Sequence, residues 1–305
     1  MNKQFKNVII WGHPLGSHTH SFIHGSFYKA FRSMGFNTIW TNNPKDLEGI
    51  ELDSSLFVTE GQVDQNIPLV KGSHYVIHNC NDRKYIEAGC KVLVIQVIHS
   101  KTYGITERNE VINKYTILEK NDDVNCLYMC WATDLLPEEI DLNTAKNNLT
   151  GDCVWVGTSG GGNSTFENWS NLNPFFDSCN RSGINVNQIN PWSNPISYEK
   201  NMMLVNNSYI SPTIQGKWQI SVGYIPCRIF KNISYGHFGY TNSSSVNDIF
   251  DGRLVYSSDS EELFNLSIDK KKSDNHIKDL RELMNEVKQK HTYVNRINQI
   301  IDLLP

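Results

Sequence analysis

Two groups of side chains in this 305-residue chain have the types and spacing of a reaction centre. The first lies in WGHPLGSHTHSFIH, which gathers His13, His18, His20 and His24 within a dozen residues. Imidazole titrates near neutrality and can take a proton from an attacking hydroxyl. His18 and His20 are therefore the candidate general bases, with His13 on the same acceptor-side loop. Glu60 in FVTEGQ is placed on the acceptor side too, and with Asp82 in HNCNDR it is an alternative base. The plain reading of both carboxylates is loop solvation, and that of each histidine is a satisfied loop or capping group.

The second group lies in residues 208–243, SYISPTIQGKWQISVGYIPCRIFKNISYGHFGYTNS. This stretch parses as a short strand, a polar loop, a helix opening at Pro226, a stop at Gly236 and a second strand. Arg228 and Lys231 are three residues apart and share one helix face near its positive end. A helix start flanked by cations is a seat for a diphosphate. Lys217 in the loop could reach the same phosphates. Asn242 and Ser243 follow the second strand, where ligands of α/β proteins bind. The bland alternatives are surface cations and turn formers. Tyr235 reads as packing, and His237 as either a cap or a donor contact.

The elements that must position these residues are legible as apolar runs. Strands are expected at 7–11, 37–41, 56–59, 74–78, 92–98, 115–118 and 126–131. Between the first two, Ile23, Phe27, Ala30, Phe31 and Met34 recur at helical spacing with Gly35 as the stop. Strand, helix and strand in about 35 residues make a βαβ unit and favour a parallel sheet. A second start appears at CVWVG (153–157), followed by Gly160 and Gly161 in a loop whose amides could face a phosphate. That loop lacks both the dinucleotide and the P-loop glycine spacing. A linker is expected at 137–151, dividing the chain into domains 1–145 and 146–305. Helices are expected near 198–206 and at 259–266, with a strand at 254–256. One long amphipathic helix is expected from about Ser273 to Leu304, with His291 a structural interruption of its apolar stripe.

Composition narrows the class. The chain is 39% hydrophobic and 20% charged with a formal charge of -4, which suits a globular protein of two domains and gives no basic footprint for nucleic acid. No apolar run approaches a membrane span or a secretory signal, and seven unspaced cysteines read as reduced thiols, so a cytoplasmic setting is expected. The histidine cluster could hold zinc, but only His20 and His24 have the i, i+4 spacing and no HExxH arrangement follows. The absence of an Asp-x-Asp motif likewise favours chemistry without a metal.

The pieces CVWVGTSGGG, SYISP, GYIPCRIFKNISYGHFGYTNS and HTYVNRINQIIDLL together resemble the GT-B-fold glycosyltransferases. The resemblance covers most of the chain in outline and is sharp in the last hundred or so residues. It implies two Rossmann-like α/β domains facing across a cleft, the C-terminal one holding a nucleotide-sugar and the closing helix packing back across both. The acceptor, a glycan or another hydroxyl compound, would lie on the N-terminal side. Retaining members carry a pair of acidic residues eight positions apart where this chain has Gly223 and Lys231. The same stretch is similar to the donor motif of α-1,3-fucosyltransferases, which matches Tyr224 to a donor-binding tyrosine and Arg228 to the diphosphate cation, with Cys227 in place of an acid. The resemblance thus implies an inverting, metal-independent transfer from a GDP- or UDP-linked sugar as co-substrate, with no other cofactor. A sugar-nucleotide epimerase and a silent nucleotide- or sugar-binding protein remain open as alternatives.

Overall fold

The structure is a computed structural model and describes residues 5–98, 107–160, 167–191 and 193–305. The chain packs as two units, Met1–Cys130 with Tyr293–Pro305, and Trp131–Thr292. The sequence-based boundary lay at 145/146. Residues of the expected linker fold instead as two 3-10 turns, Pro137–Glu139 and Leu142–Thr144, within the second unit.

The first unit runs β1 (Val8–Trp11), α1 (Ser21–Ser33), β2 (Thr38–Thr41), β3 (Leu56–Glu60), β4 (His74–His78), α2 (Arg83–Glu87), β5 (Lys91–Gln96), β6 (Asn109–Asn113), β7 (Thr116–Glu119) and β8 (Asn125–Met129). These strands form one sheet in the order β2-β1-β3-β4-β5-β8-β7-β6. From β2 to β8 every pairing is parallel, and β7 and β6 add antiparallel at one edge. β1, β3 and β4 are buried along their whole length, as parallel strands covered on both faces must be. Trp11, Phe57, Tyr75, Ile77 and Tyr85 form the core on one face, with Phe57 and Tyr75 stacked at 4.6 Å. α1 buries Phe27, Ala30 and Phe31, the stripe its spacing predicts, and Gly35 beyond its end has a φ of +83°.

The second unit runs β9 (Cys153–Val156), α3 (Trp169–Arg181), β10 (Val186–Ile189), α4 (Tyr198–Asn207), α5 (Lys217–Ser221), α6 (Cys227–Ser234), β11 (Tyr240–Thr241), α7 (Ser244–Ile249), β12 (Val255–Tyr256), α8 (Ser260–Lys272) and α9 (His276–Lys290). β10 pairs with β9 and β12 with β11, both in parallel. The expected strand at SYISP is reduced to single parallel bridges, Ile210 to Cys153 and Thr213 to Thr241, which join the two pairs. The carboxyl ends of β9 and β11 therefore lie at one edge.

The expected single tail helix is broken at His291 and Thr292. Thr292 forms a parallel bridge with Thr133, whose amide donates to the His291 carbonyl at 3.1 Å. The helix after the break, α10 (Tyr293–Leu303), belongs to the first unit, where Tyr293 meets Phe27 edge to face at 4.8 Å. Arg296 of α10 is fully buried and donates through Nε to the Cys130 carbonyl at 2.8 Å. None of the seven cysteines is disulfide-bonded. No helix among the described residues is long and apolar enough to cross a membrane.

Gly236 stops α6 as expected, with a φ of +85°, and a Cβ there would lie 2.4 Å from the Thr144 carbonyl oxygen. Strain and collision act together, so Gly236→Ala should cost about 1–3 kcal/mol. Urea unfolding of the two proteins should show a lower midpoint for the variant with an unchanged slope.

Candidate functional site

The first unit gathers its chemistry at the carboxyl ends of β1, β3 and β4. His13 follows β1 by two residues, Glu60 ends β3 and His78 ends β4. Adjacent parallel strands end side by side, so residues far apart in sequence meet there. Glu60 is 1% exposed and does not solvate a loop. His13 Nε2 lies 2.6 Å from Glu60 Oε1, and His20 Nδ1 lies 3.2 Å from Glu60 Oε2. The second contact is close without the alignment of a hydrogen bond. Burial alone would lift the Glu60 carboxyl, but His20 and His13 outweigh it and bring it down to about 2. Glu60 is an anion at any physiological pH.

His18 stacks on His13 at 4.2 Å, and its imidazole is held below the usual range by burial and then by the neighbouring imidazoles. His24, in α1, is buried and accepts the His13 backbone N–H on Nδ1 at 3.1 Å. That contact explains Gly12, where a Cβ would come within 2.3 Å of His24 Nδ1. Gly61 is required in the same way, since a Cβ there would lie 2.0 Å from the Asn79 carbonyl oxygen. Donor atoms of His13, His18 and Glu60 all lie within 4.8 Å of one another. The sequence thus supplied the histidines and Glu60 as separate candidates, and the fold brings them together. Asp82 lies elsewhere in the loop, directly before α2, and makes no capping bond.

In the second unit Arg228 lies at the carboxyl end of β9. Its Nε donates to the Val156 carbonyl at 2.8 Å, and its guanidinium carbon sits 4.2 Å over the Trp155 ring. Gly157 makes this approach possible, since a Cβ there would fall 2.0 Å from the Arg228 Nη2. Burial pushes the Arg228 guanidinium down to about 10, which leaves it a cation at neutral pH.

Around it, uncharged amides fix the loops. Asn168 is buried and donates to the Thr158 carbonyl at 2.8 Å while accepting the Gly216 amide at 2.6 Å. Asn242 accepts the Gln215 amide and donates to the Gln215 carbonyl, both at 2.9 Å. Asn242 is therefore a loop clamp. Gln215 donates through Nε2 to the carbonyl of Tyr224, which is partly buried. Among the described residues, Gln215 Oε1, Ser243 Oγ and Trp155 Nε1 are buried without a hydrogen-bond partner. Buried polar atoms of this kind call for a partner, and here it can be a ligand. Asn168 and Gln215 were not among the expected site residues.

The remaining expected donor residues are placed differently. Lys231 is turned to Asp134 at 3.1 Å, and both Asp134 oxygens accept the Tyr235 hydroxyl at 2.7 Å. Burial opposes the Lys231 charge, but Asp134 outweighs it and raises the ammonium above its ordinary value. Its first role is thus internal. Lys217 is exposed at the start of α5. Gly160 ends the described part of the glycine loop with a φ of +88°, and Gly161 lies outside the described residues. His237 is buried with Nδ1 3.1 Å from the Phe238 carbonyl, a structural position.

No family model matches the sequence, and the search of curated proteins by sequence returns no match. Solved structures do match. An α-glucosyltransferase (AGT) in complex with UDP superposes with a TM-score of 0.59 at 9% identity, over 97% of this chain and 99% of that one. The T4 phage BGT in complex with UDP and Mn2+ gives 0.55 at 13% identity over the same shares. The chain thus has the glycosyltransferase-type α/β fold expected from its sequence.

Buried histidines make this fold sensitive to acid. Burial lowers His237 to about 3 and His276 to about 4, against an ordinary value of 6.5. Below pH 6.5 these histidines bind protons in the unfolded chain that the folded chain refuses, so the stability they contribute is complete above 6.5 and lost as pH falls toward 3. Thermal unfolding should show a midpoint that declines from pH 6.5 to pH 4, with a shallower decline in His276→Gln.

Proposed function

We propose that this protein transfers a sugar from a UDP-linked donor to a hydroxyl acceptor, with Arg228 as the diphosphate cation and His20 as the base. The observation that carries this reading is the anchoring of Arg228 at the carboxyl end of β9, against a glycine that leaves room for it. A half-buried cation fixed by a carbonyl and an indole needs little reorganisation as charge grows on a leaving diphosphate. The UDP present in both similar glucosyltransferase structures favours uridine over guanosine as the donor base. The orphaned Gln215 Oε1 and Ser243 Oγ are polar positions for the nucleoside, and Tyr224, Lys217 and the 157–160 loop are further donor contacts.

On the acceptor side, Nδ1 of His20 faces the Glu60 carboxylate, which leaves Nε2 to take the hydroxyl proton. Glu60 stabilises the imidazolium that forms. The attacking oxygen then bonds to the anomeric carbon, the bond to the diphosphate breaks, and UDP leaves with its charge met by Arg228. Transfer with inversion is the stereochemistry that a single displacement of this kind gives.

Calorimetry with UDP, followed by product analysis with UDP-sugars and hydroxyl acceptors, tests the reading. Arg228→Ala should weaken UDP binding about 10–100-fold, the range for a lost charged hydrogen bond. His20→Ala should leave UDP affinity within a factor of about two and lower kcat about 10²–10⁴-fold, the usual share of a general base. Donor converted without acceptor would indicate an epimerase instead. Binding without turnover on any acceptor would indicate a silent nucleotide-binding protein.

A further inference from the structure

The histidine loop carries one arrangement that the transfer reaction does not require. We propose that His13, His18 and Glu60 form a three-ligand site for a divalent transition metal, zinc by preference, with its fourth position open. Their donor atoms converge from two places in the sequence, the loop after β1 and the end of β3, and lie within 4.8 Å of one another. Two imidazoles and a carboxylate are a ligand set that suits zinc, and three protein ligands with an open position are the pattern of reactive rather than structural zinc.

Zinc bonds of about 2.0–2.2 Å in a tetrahedron place neighbouring donor atoms about 3.3 Å apart. His13 Nε2 and Glu60 Oε1, at 2.6 Å, must therefore separate by ~0.7 Å as an ion replaces their shared proton. The stacked His13 and His18 rings need only rotate about their side-chain bonds, and His18 lies on a partly exposed loop that allows this. Glu60 can ligate through Oε1 while Oε2 keeps its contact with His20 at 3.2 Å, so the ligand carboxylate is itself oriented. Where the transferase reading holds, the open position is where the acceptor hydroxyl would bind beside His20, and this last assignment alone rests on that reading.

The test needs no sugar. The full chain, stripped with a chelator and desalted, is titrated with Zn2+ by calorimetry and with Co2+ by visible absorption. One metal per chain is expected, with cobalt d–d bands of a nitrogen–oxygen site and no thiolate charge-transfer band. His18→Ala should weaken binding at least ~10-fold. His13→Ala should do the same, with circular dichroism showing that both variants are folded. The absence of stoichiometric binding, an affinity in either variant unchanged from that of the unaltered chain, or a thiolate band would overturn the proposal. A chain that moves sugar but binds no zinc rejects this inference alone. A chain that binds zinc through these residues but moves no sugar leaves it standing.

Discussion

The second unit is organised around a half-buried guanidinium fixed at the end of β9. Arg228 reaches back from α6 to the Val156 carbonyl and lies on Trp155, and both contacts depend on Gly157 presenting no side chain. A cation drawn partly out of water is costly unless other groups meet its charge. A carbonyl and an aromatic face meet only part of it, which leaves the remaining donors suited to an anion. The loops nearby are then fixed by neutral side chains, Asn168 and Asn242, which add no competing charge. Lys231, three residues on, shows the contrast: its charge is already matched by Asp134.

The first unit solves the opposite electrostatic problem. Glu60 is an acid buried at the end of a parallel strand, and it is kept ionised by two imidazoles rather than by lysine or arginine. Strand order decides this arrangement, because β1 and β3 are neighbours and bring residue 13 to residue 60. Gly12 and Gly61 then allow His24 and the Asn79 backbone to press against the same edge. The edge therefore offers an anion surrounded by imidazoles, whose nitrogen atoms are proton acceptors and also metal donors.

Much of the scaffold was legible because parallel strands buried on both faces are continuous apolar runs, as β1, β3 and β4 are. α1 was legible from its spacing, and Gly236 from its place after α6. The polar β6 gave no such run. α3 was missed because WSNLNPFFDSCNR is rich in Asn and Ser and carries Pro174 inside the helix; burial of Leu172, Phe175, Phe176 and Cys179 overrides that weak propensity. The break between α9 and α10 was invisible because the apolar period runs through it, and only the long-range pairing of Thr292 with Thr133 imposes it. Of the site, Arg228 and the histidines could be read from residue type. The partnership of Glu60 with His13 and His20 could not, since it is a product of sheet order, and Asn168 and Gln215 carry no charge to betray them.

The central claim is that Arg228 and the 157–160 loop receive a nucleoside diphosphate. A crystal structure of the protein with UDP tests it most directly. The account predicts diphosphate oxygens within hydrogen-bond reach of the Arg228 guanidinium, with the nucleoside satisfying Gln215 or Ser243. UDP bound elsewhere, with Arg228 still confined to Val156 and Trp155, would contradict it.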